Sequence, residues 1–142
     1  INIPSESVNV ITVIDSLHHM FDREHKIAEI KRILAPGGIL LIRDHIVDDD
    51  KIKQVVAWQH ILYYMVNLAA NNEVVLEYNE FKKMISRYLT ENQLYLFDRE
   101  ELDKMLLGGE SPALSLVDFN YTNSTNYTNY NNTFIATYKK SE

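Results

Sequence analysis

Val8 to Ile14 reads VNVITVI, a short β-branched run with no turn residue inside it. Such a run predicts a strand buried on both faces. Asp15-Ser16 ends it. From Arg23 to Leu34 the period changes, with Ile27, Ile30, Ile33 and Leu34 apolar and Glu24, Glu29, Lys31 and Arg32 between them. That spacing is an amphipathic helix. Asp22 is placed to cap its start, and Pro36-Gly37-Gly38 to stop it. Ile39 to Ile42 is a second apolar, β-branched run and so a second buried strand. Strand, helix and strand over this length make a βαβ unit, whose two strands are parallel neighbours.

The middle of the chain is helical. Asp48-Asp49-Asp50 offers a cap and suitable charge for a helix over Lys51 to Leu68. Phe81–Leu89 and Arg99–Leu107 are shorter helices, the latter capped by Asp98 and ended by Gly108-Gly109. Leu114–Tyr121 and Thr133–Tyr138 alternate as strands and form a C-terminal β-hairpin. The division is a βαβ core (1–47), a helical stretch (48–91), and a helix with the hairpin (92–142). The hairpin connection, Thr122 to Asn132, is rich in Asn and Tyr. Four N-x-S/T triplets begin at Asn120, Asn123, Asn126 and Asn131. They read as glycan acceptors in a secreted protein, or as low-complexity spacer in a chain without leader or cysteine.

Composition narrows the chemistry. The 142 residues suit one domain and are 46% apolar and 24% charged, ordinary for a globular protein. The four glycines form two adjacent pairs, from which neither G-x-G-x-x-G nor a phosphate-cradling loop can be built. With no cysteine, disulfides and thiolate chemistry are excluded, and a reducing cytoplasm is the expected compartment. A net charge of −6 weighs against a generic nucleic-acid surface. No apolar run reaches the ~18 residues of a membrane span.

One stretch carries more information than the rest: VNVITVIDSLHHMFDREHKIAEIKRILAPGGILLIRDH, Val8 to His45. Its ordered pieces are VNVITVI, SLHHM, a helix ending IKRIL, the turn APGG and the strand ILLIRDH. In letters and in separation they resemble the second half of a class I S-adenosylmethionine-dependent methyltransferase domain. The resemblance implies a Rossmann-like α/β sheet, of which this chain supplies the later half. The four strands would lie in the family's order 4-5-7-6, with the last strand antiparallel. The helical stretch would be an insertion shaping the acceptor pocket. The implied function is methyl transfer to an oxygen, nitrogen or carbon nucleophile of a small molecule or an RNA. The family's glycine-rich cofactor loop and ribose-binding acidic residue do not occur here. The chain also begins with Ile1 rather than Met. The strand Val8–Ile14 is thus expected to be an open apolar edge. It would be covered by a missing N-terminal half or by a partner chain. A non-catalytic module that binds a partner through this edge is the other reading.

Candidate site residues follow from position. Asp15, Ser16 and Leu17 end the first strand at the carboxyl edge, where open α/β folds bind ligands. By resemblance they flank the cofactor; the alternative is a polar strand end with a local cap. His18 and His19 offer a general base titrating near neutrality, or one of them packs under the sheet. Adjacent residues point apart on a regular element, which argues against a shared metal. Arg43, Asp44 and His45 end the second strand and are exposed by geometry; in similar sequences they border the acceptor, where Asp44 or His45 would act. Trp58, His60, Tyr63 and Tyr64 form an aromatic group on the long helix, read either as core or as an acceptor wall with His60 pointing inward.

Overall fold

In a computed structural model, residues 2–71, 77–91, 94–108, 114–122 and 133–142 are described. Residues 123–132, most of the Asn- and Tyr-rich connection, lie outside these. The chain divides into two compact units, Ile1–Asp48 with Tyr95–Glu142, and Asp49–Leu94.

The first unit holds β1 (Val8–Ile14), α1 (Arg23–Ile33) and β2 (Leu34–His45). It also holds α4 (Arg99–Leu107), β3 (Leu114–Thr122) and β4 (Thr133–Lys140). A single four-stranded sheet runs β1-β2-β4-β3. β1 and β2 are parallel, as a βαβ unit requires, and β4 is antiparallel to both β2 and β3. Leu40, Ile42, Phe134, Ala136 and Tyr138 on one sheet face pack with Ile27 and Ile30 of α1 and Leu102 and Leu106 of α4. Lys31 ties the two helices, donating to the carbonyls of Met105 (3.4 Å) and Gly108 (3.0 Å).

The opposite sheet face corrects the expectation that β1 is buried on both sides. Val10, Thr12 and Ile14 are exposed there, in register with Ile39, Leu41 and Arg43 of β2. The β3 end of that face is polar, with Ser115, Asp118 and Asn120 exposed. A run of β-branched residues suits burial on both faces, but within this unit the described helices α1 and α4 pack on only one.

Two local expectations also need correction. Asp22 does not cap α1: it sits at φ 53° with no capping hydrogen bond from its side chain. Nor does Pro36-Gly37-Gly38 stop the helix. α1 ends at Ile33, and the tripeptide lies inside β2 as a bulge, since Val8 pairs with Leu34 but Val10 with Ile39. Gly37 adopts φ +71°, which glycine tolerates without cost. At Gly38 a Cβ would meet the Ala35 carbonyl at 2.7 Å. The carbonyls at the end of α1 are met instead by buried Lys140, which donates to Lys31 (2.9 Å) and Leu34 (2.7 Å) and faces Glu6 (3.3 Å). Asp98 caps α4 as expected, in a full capping box with Glu101.

The second unit contains α2 (Asp50–Ala70) and α3 (Tyr78–Glu91). On α2, Val55, Trp58, Leu62 and Val66 are all exposed, at helical spacing. Tyr63 and Tyr64 are exposed too, so the aromatic group is not a core.

Candidate active site

The phase of β2 decides the site. Leu40 and Ile42 face the helices, and two residues further on the same alternation carries Asp44 to that face. Charged residues ending this strand were expected to be exposed; Arg43 is, whereas Asp44 is fully buried.

A buried carboxylate must be paired or hydrogen-bonded, and Asp44 is both. One oxygen accepts from the backbone N–H of Leu17 (2.6 Å) and of His18 (3.3 Å). The other accepts from the N–H of His45 (2.6 Å) and meets Nδ1 of His18. Burial pushes the Asp44 carboxyl up. The His18 hydrogen bond and electrostatic attraction, joined by the N–H groups of His45 and Leu17, outweigh it and hold the group below its usual value.

Two further imidazoles lie against the ring of His18, the partner of this carboxylate. Leu17–His19 is a 3₁₀ turn, in which successive side chains leave the backbone about 120° apart, yet the two histidine rings turn toward one another. The His18 and His19 ring centroids lie 4.0 Å apart, and the His45 ring meets His18 edge-on at 5.0 Å. His18 is buried, His45 half-buried and His19 exposed. His18 is therefore oriented through Nδ1 by a carboxylate, as a general base is commonly oriented. His19 presents an imidazole to solvent beside it.

The turn after β1 is fixed differently. Asp15 sits at φ +46°, its carboxylate 2.7 Å from Arg43 Nη1 and its N–H on the Arg43 carbonyl at 2.8 Å. Ser16 is half-buried, and the Leu17 side chain belongs to the core. These residues lie at the carboxyl edge of the parallel strands β1 and β2. They contain neither a glycine cradle nor an acidic partner free of Arg43. His60 lies in the second unit, its Nδ1 2.8 Å from the Val56 carbonyl one turn back.

Sequence reasoning missed a second element of the site. Tyr95 N–H donates to the His18 carbonyl at 2.8 Å. Arg23 Nη1 donates to the Tyr95 carbonyl at 2.7 Å, and its guanidinium lies 5.8 Å from the Tyr95 ring and 5.4 Å from the Phe97 ring. Phe21, strongly exposed, lies 6.3 Å from the Tyr95 ring. These contacts join distant parts of the chain, and no local periodicity signals them.

The fold is α/β and methyltransferase-like, with a mixed four-stranded sheet. A Methanosarcina mazei SAM-dependent methyltransferase matches it at TM-score 0.57, with 15% identity over 99% of this chain and 63% of that one. A Haloferax volcanii methyltransferase, solved with the Trm112 methyltransferase activator, matches at TM-score 0.57, with 11% identity over 100% of this chain and 58% of that one. The first third of the chain carries the family signal: residues 1–42 match the family model described as a methyltransferase domain. The 27-O-demethylrifamycin SV methyltransferase of Amycolatopsis mediterranei (strain S699) is 43% identical over 44 residues, which are 31% of this chain and 16% of that protein. The resemblance to class I methyltransferases is thus present in sequence and in fold. The chain spans only part of the length of each of these proteins.

Proposed function

We propose that this chain is the acceptor-side half of a class I S-adenosylmethionine-dependent methyltransferase domain. The observation that carries the reading is a coincidence of family match and site: residues 15–19 lie within the matched segment, and from the neighbouring strand Asp44 holds the Leu17 and His18 N–H groups and the His18 ring. In this reading β1, β2, β3 and β4 are the family's fourth, fifth, sixth and seventh strands, so the observed order corresponds to 4-5-7-6.

S-adenosylmethionine, when bound, supplies a methyl group made electrophilic by its sulfonium. Asp15 and Ser16 would border it. The exposed His19, beside the Asp44-oriented His18, would accept the proton of an acceptor hydroxyl. In that transfer the S–CH3 bond breaks as the O–CH3 bond forms, and S-adenosylhomocysteine leaves. Oxygen is the favoured nucleophile because the Amycolatopsis relative is named for a 27-O-demethyl substrate. His45 is proposed to face the acceptor. A cysteine-free chain suits the cytoplasm, and no helix among the described residues is long and apolar enough to cross a membrane.

The open face supports a further segment. Val10 and Ile14 expose 59% and 52% of their surface beside the unpaired edge of β1, a poor end state for an apolar strand. At the other sheet edge, β3 carries a bulge near Val117 and a charged Asp118, devices that blunt pairing. The cover of β1 would be the cofactor-holding half of the domain. The second reading, a non-catalytic module, uses the same edge to hold a partner protein, and one structural neighbour was solved with its activator.

The test is calorimetric titration of S-adenosylmethionine into this chain alone and into the polypeptide extended upstream of Ile1. The chain alone should bind poorly, and the extended form should bind at micromolar level and transfer methyl groups. An extended form that neither binds nor transfers would favour the module. Tight binding by the isolated chain would overturn the half-domain reading.

A further inference from the structure

Phe21 stands out beside the site. It exposes 71% of its surface and is displayed by a turn in which the next residue, Asp22, adopts φ 53°. A large aromatic side chain left in water forgoes the stabilisation of burial. The only ring in contact with it among the described residues is that of Tyr95, at 6.3 Å and an interplanar angle of 58°. Tyr95 is held in turn: its N–H is on the His18 carbonyl, and its own carbonyl takes the Arg23 guanidinium. One aromatic ring is thereby fastened to the backbone of the histidine turn, and a second projects next to it. Exposed His19 lies between the buried His18 and Phe21 along the chain.

We propose that Phe21 and Tyr95 form an aromatic wall of the acceptor site, and that the acceptor is a phenol, a planar ring carrying the hydroxyl to be methylated. This rests on the methyl-transfer reading above and narrows its substrate class. Two arguments converge on it. Rings meeting at a tilt offer faces and edges on which a third ring stacks favourably. A phenolic hydroxyl, near ~10, also yields its proton to an imidazole far more readily than an aliphatic hydroxyl, which is closer to water at ~15.7. The O–H proton goes to the imidazole, the methyl carbon leaves sulfur for oxygen, and the products are the aryl methyl ether and S-adenosylhomocysteine.

The test uses the polypeptide extended upstream of Ile1, with 2-naphthol and 1-hexanol as probes and Phe21→Ala as the variant. Because Phe21 is exposed, the variant should fold. Saturation-transfer NMR reads 2-naphthol binding, and labelled S-adenosylmethionine reads transfer. Wild type should bind and methylate 2-naphthol in preference to 1-hexanol. Phe21→Ala should weaken 2-naphthol binding and raise its KM about five-fold, with kcat little changed, as the loss of ~1 kcal/mol of ring stacking implies. Naphthol binding that Phe21→Ala leaves unchanged, or preferred turnover of hexanol, would overturn the wall while leaving methyl transfer intact. Phe21-dependent naphthol binding without transfer of any methyl group would support the wall and count against the methyl-transfer reading.

Discussion

The Asp44 carboxylate and the His18 imidazole meet in the interior of the protein, one at the end of β2 and the other just beyond β1. Both are nearly inaccessible to solvent. Their contact joins the ends of two parallel strands and orients the histidine turn at the same time.

Removing Asp44 should therefore cost more than a surface charge would. Asp44→Ala leaves the N–H groups of Leu17 and His45 and the His18 ring without their acceptor. The expected loss is about 3–5 kcal/mol, as for one partner of a buried pair. Asp44→Asn keeps the shape and one acceptor and should cost less. Urea unfolding of the three forms at neutral pH checks the ranking. A loss below about 1 kcal/mol for Asp44→Ala would contradict this account.

The same group sets an acid limb. Its folded pKa lies below the ordinary carboxylate value, so the folded state favours the charged form. That contribution is fully present above the unfolded value of ~3.9. It disappears as pH falls through the lowered folded value. Unfolding followed from pH 6 down to pH 2 should show a flatter acid slope for Asp44→Asn than for wild type.

Tyr138 gives the opposite limb. Among the described residues its buried hydroxyl has no hydrogen-bond partner, and burial, with the negative charge of Asp103 added, pushes it up to about 12. Below ~10 the hydroxyl is neutral in both states and stability is independent of its titration; as pH rises from there toward the folded value the unfolded state ionises first and stability falls. Tyr138→Phe should remove that alkaline slope. At neutral pH it should be neutral or stabilising by up to ~1 kcal/mol, because it deletes an unsatisfied polar atom while keeping the ring. A clear loss of stability in thermal unfolding of Tyr138→Phe would show that the hydroxyl has a partner.

Lys140→Met should destabilise by about 1–3 kcal/mol, since it removes the donors for the Lys31 and Leu34 carbonyls while preserving most of the buried stem. Amide hydrogen exchange locates the effect: the last turn of α1 should lose protection before the sheet does.

Gly38→Ala should cost about 1–3 kcal/mol, because its Cβ would press on the Ala35 carbonyl and on Leu34 inside the bulge. A denaturation midpoint unchanged by Gly38→Ala would show that the bulge can relax.

The elements themselves were legible. Apolar periods over Val8–Ile14, Arg23–Leu34 and Leu114–Tyr121 fall on β1, α1 and β3, and Asp98 caps α4, because these features depend on neighbours a few residues away. The PGG tripeptide misled because its letters resemble a helix stop; the actual end of α1 is made by Lys140, from the far end of the chain. The histidine turn was also visible as a candidate, but which ring is buried was not.

By itself, the sequence determined the βαβ beginning, the hairpin end, the family resemblance of residues 8–45 and the set of polar groups at the carboxyl edge. All are local patterns of spacing and composition. Only the tertiary structure decided that Asp44 faces inward and takes His18, that Tyr95 is fastened to the histidine turn, and that one face of β1 stays open. Those outcomes depend on which strands pair, in which register, and on which side the helices pack. They arise from contacts between residues distant in sequence, which no local pattern encodes.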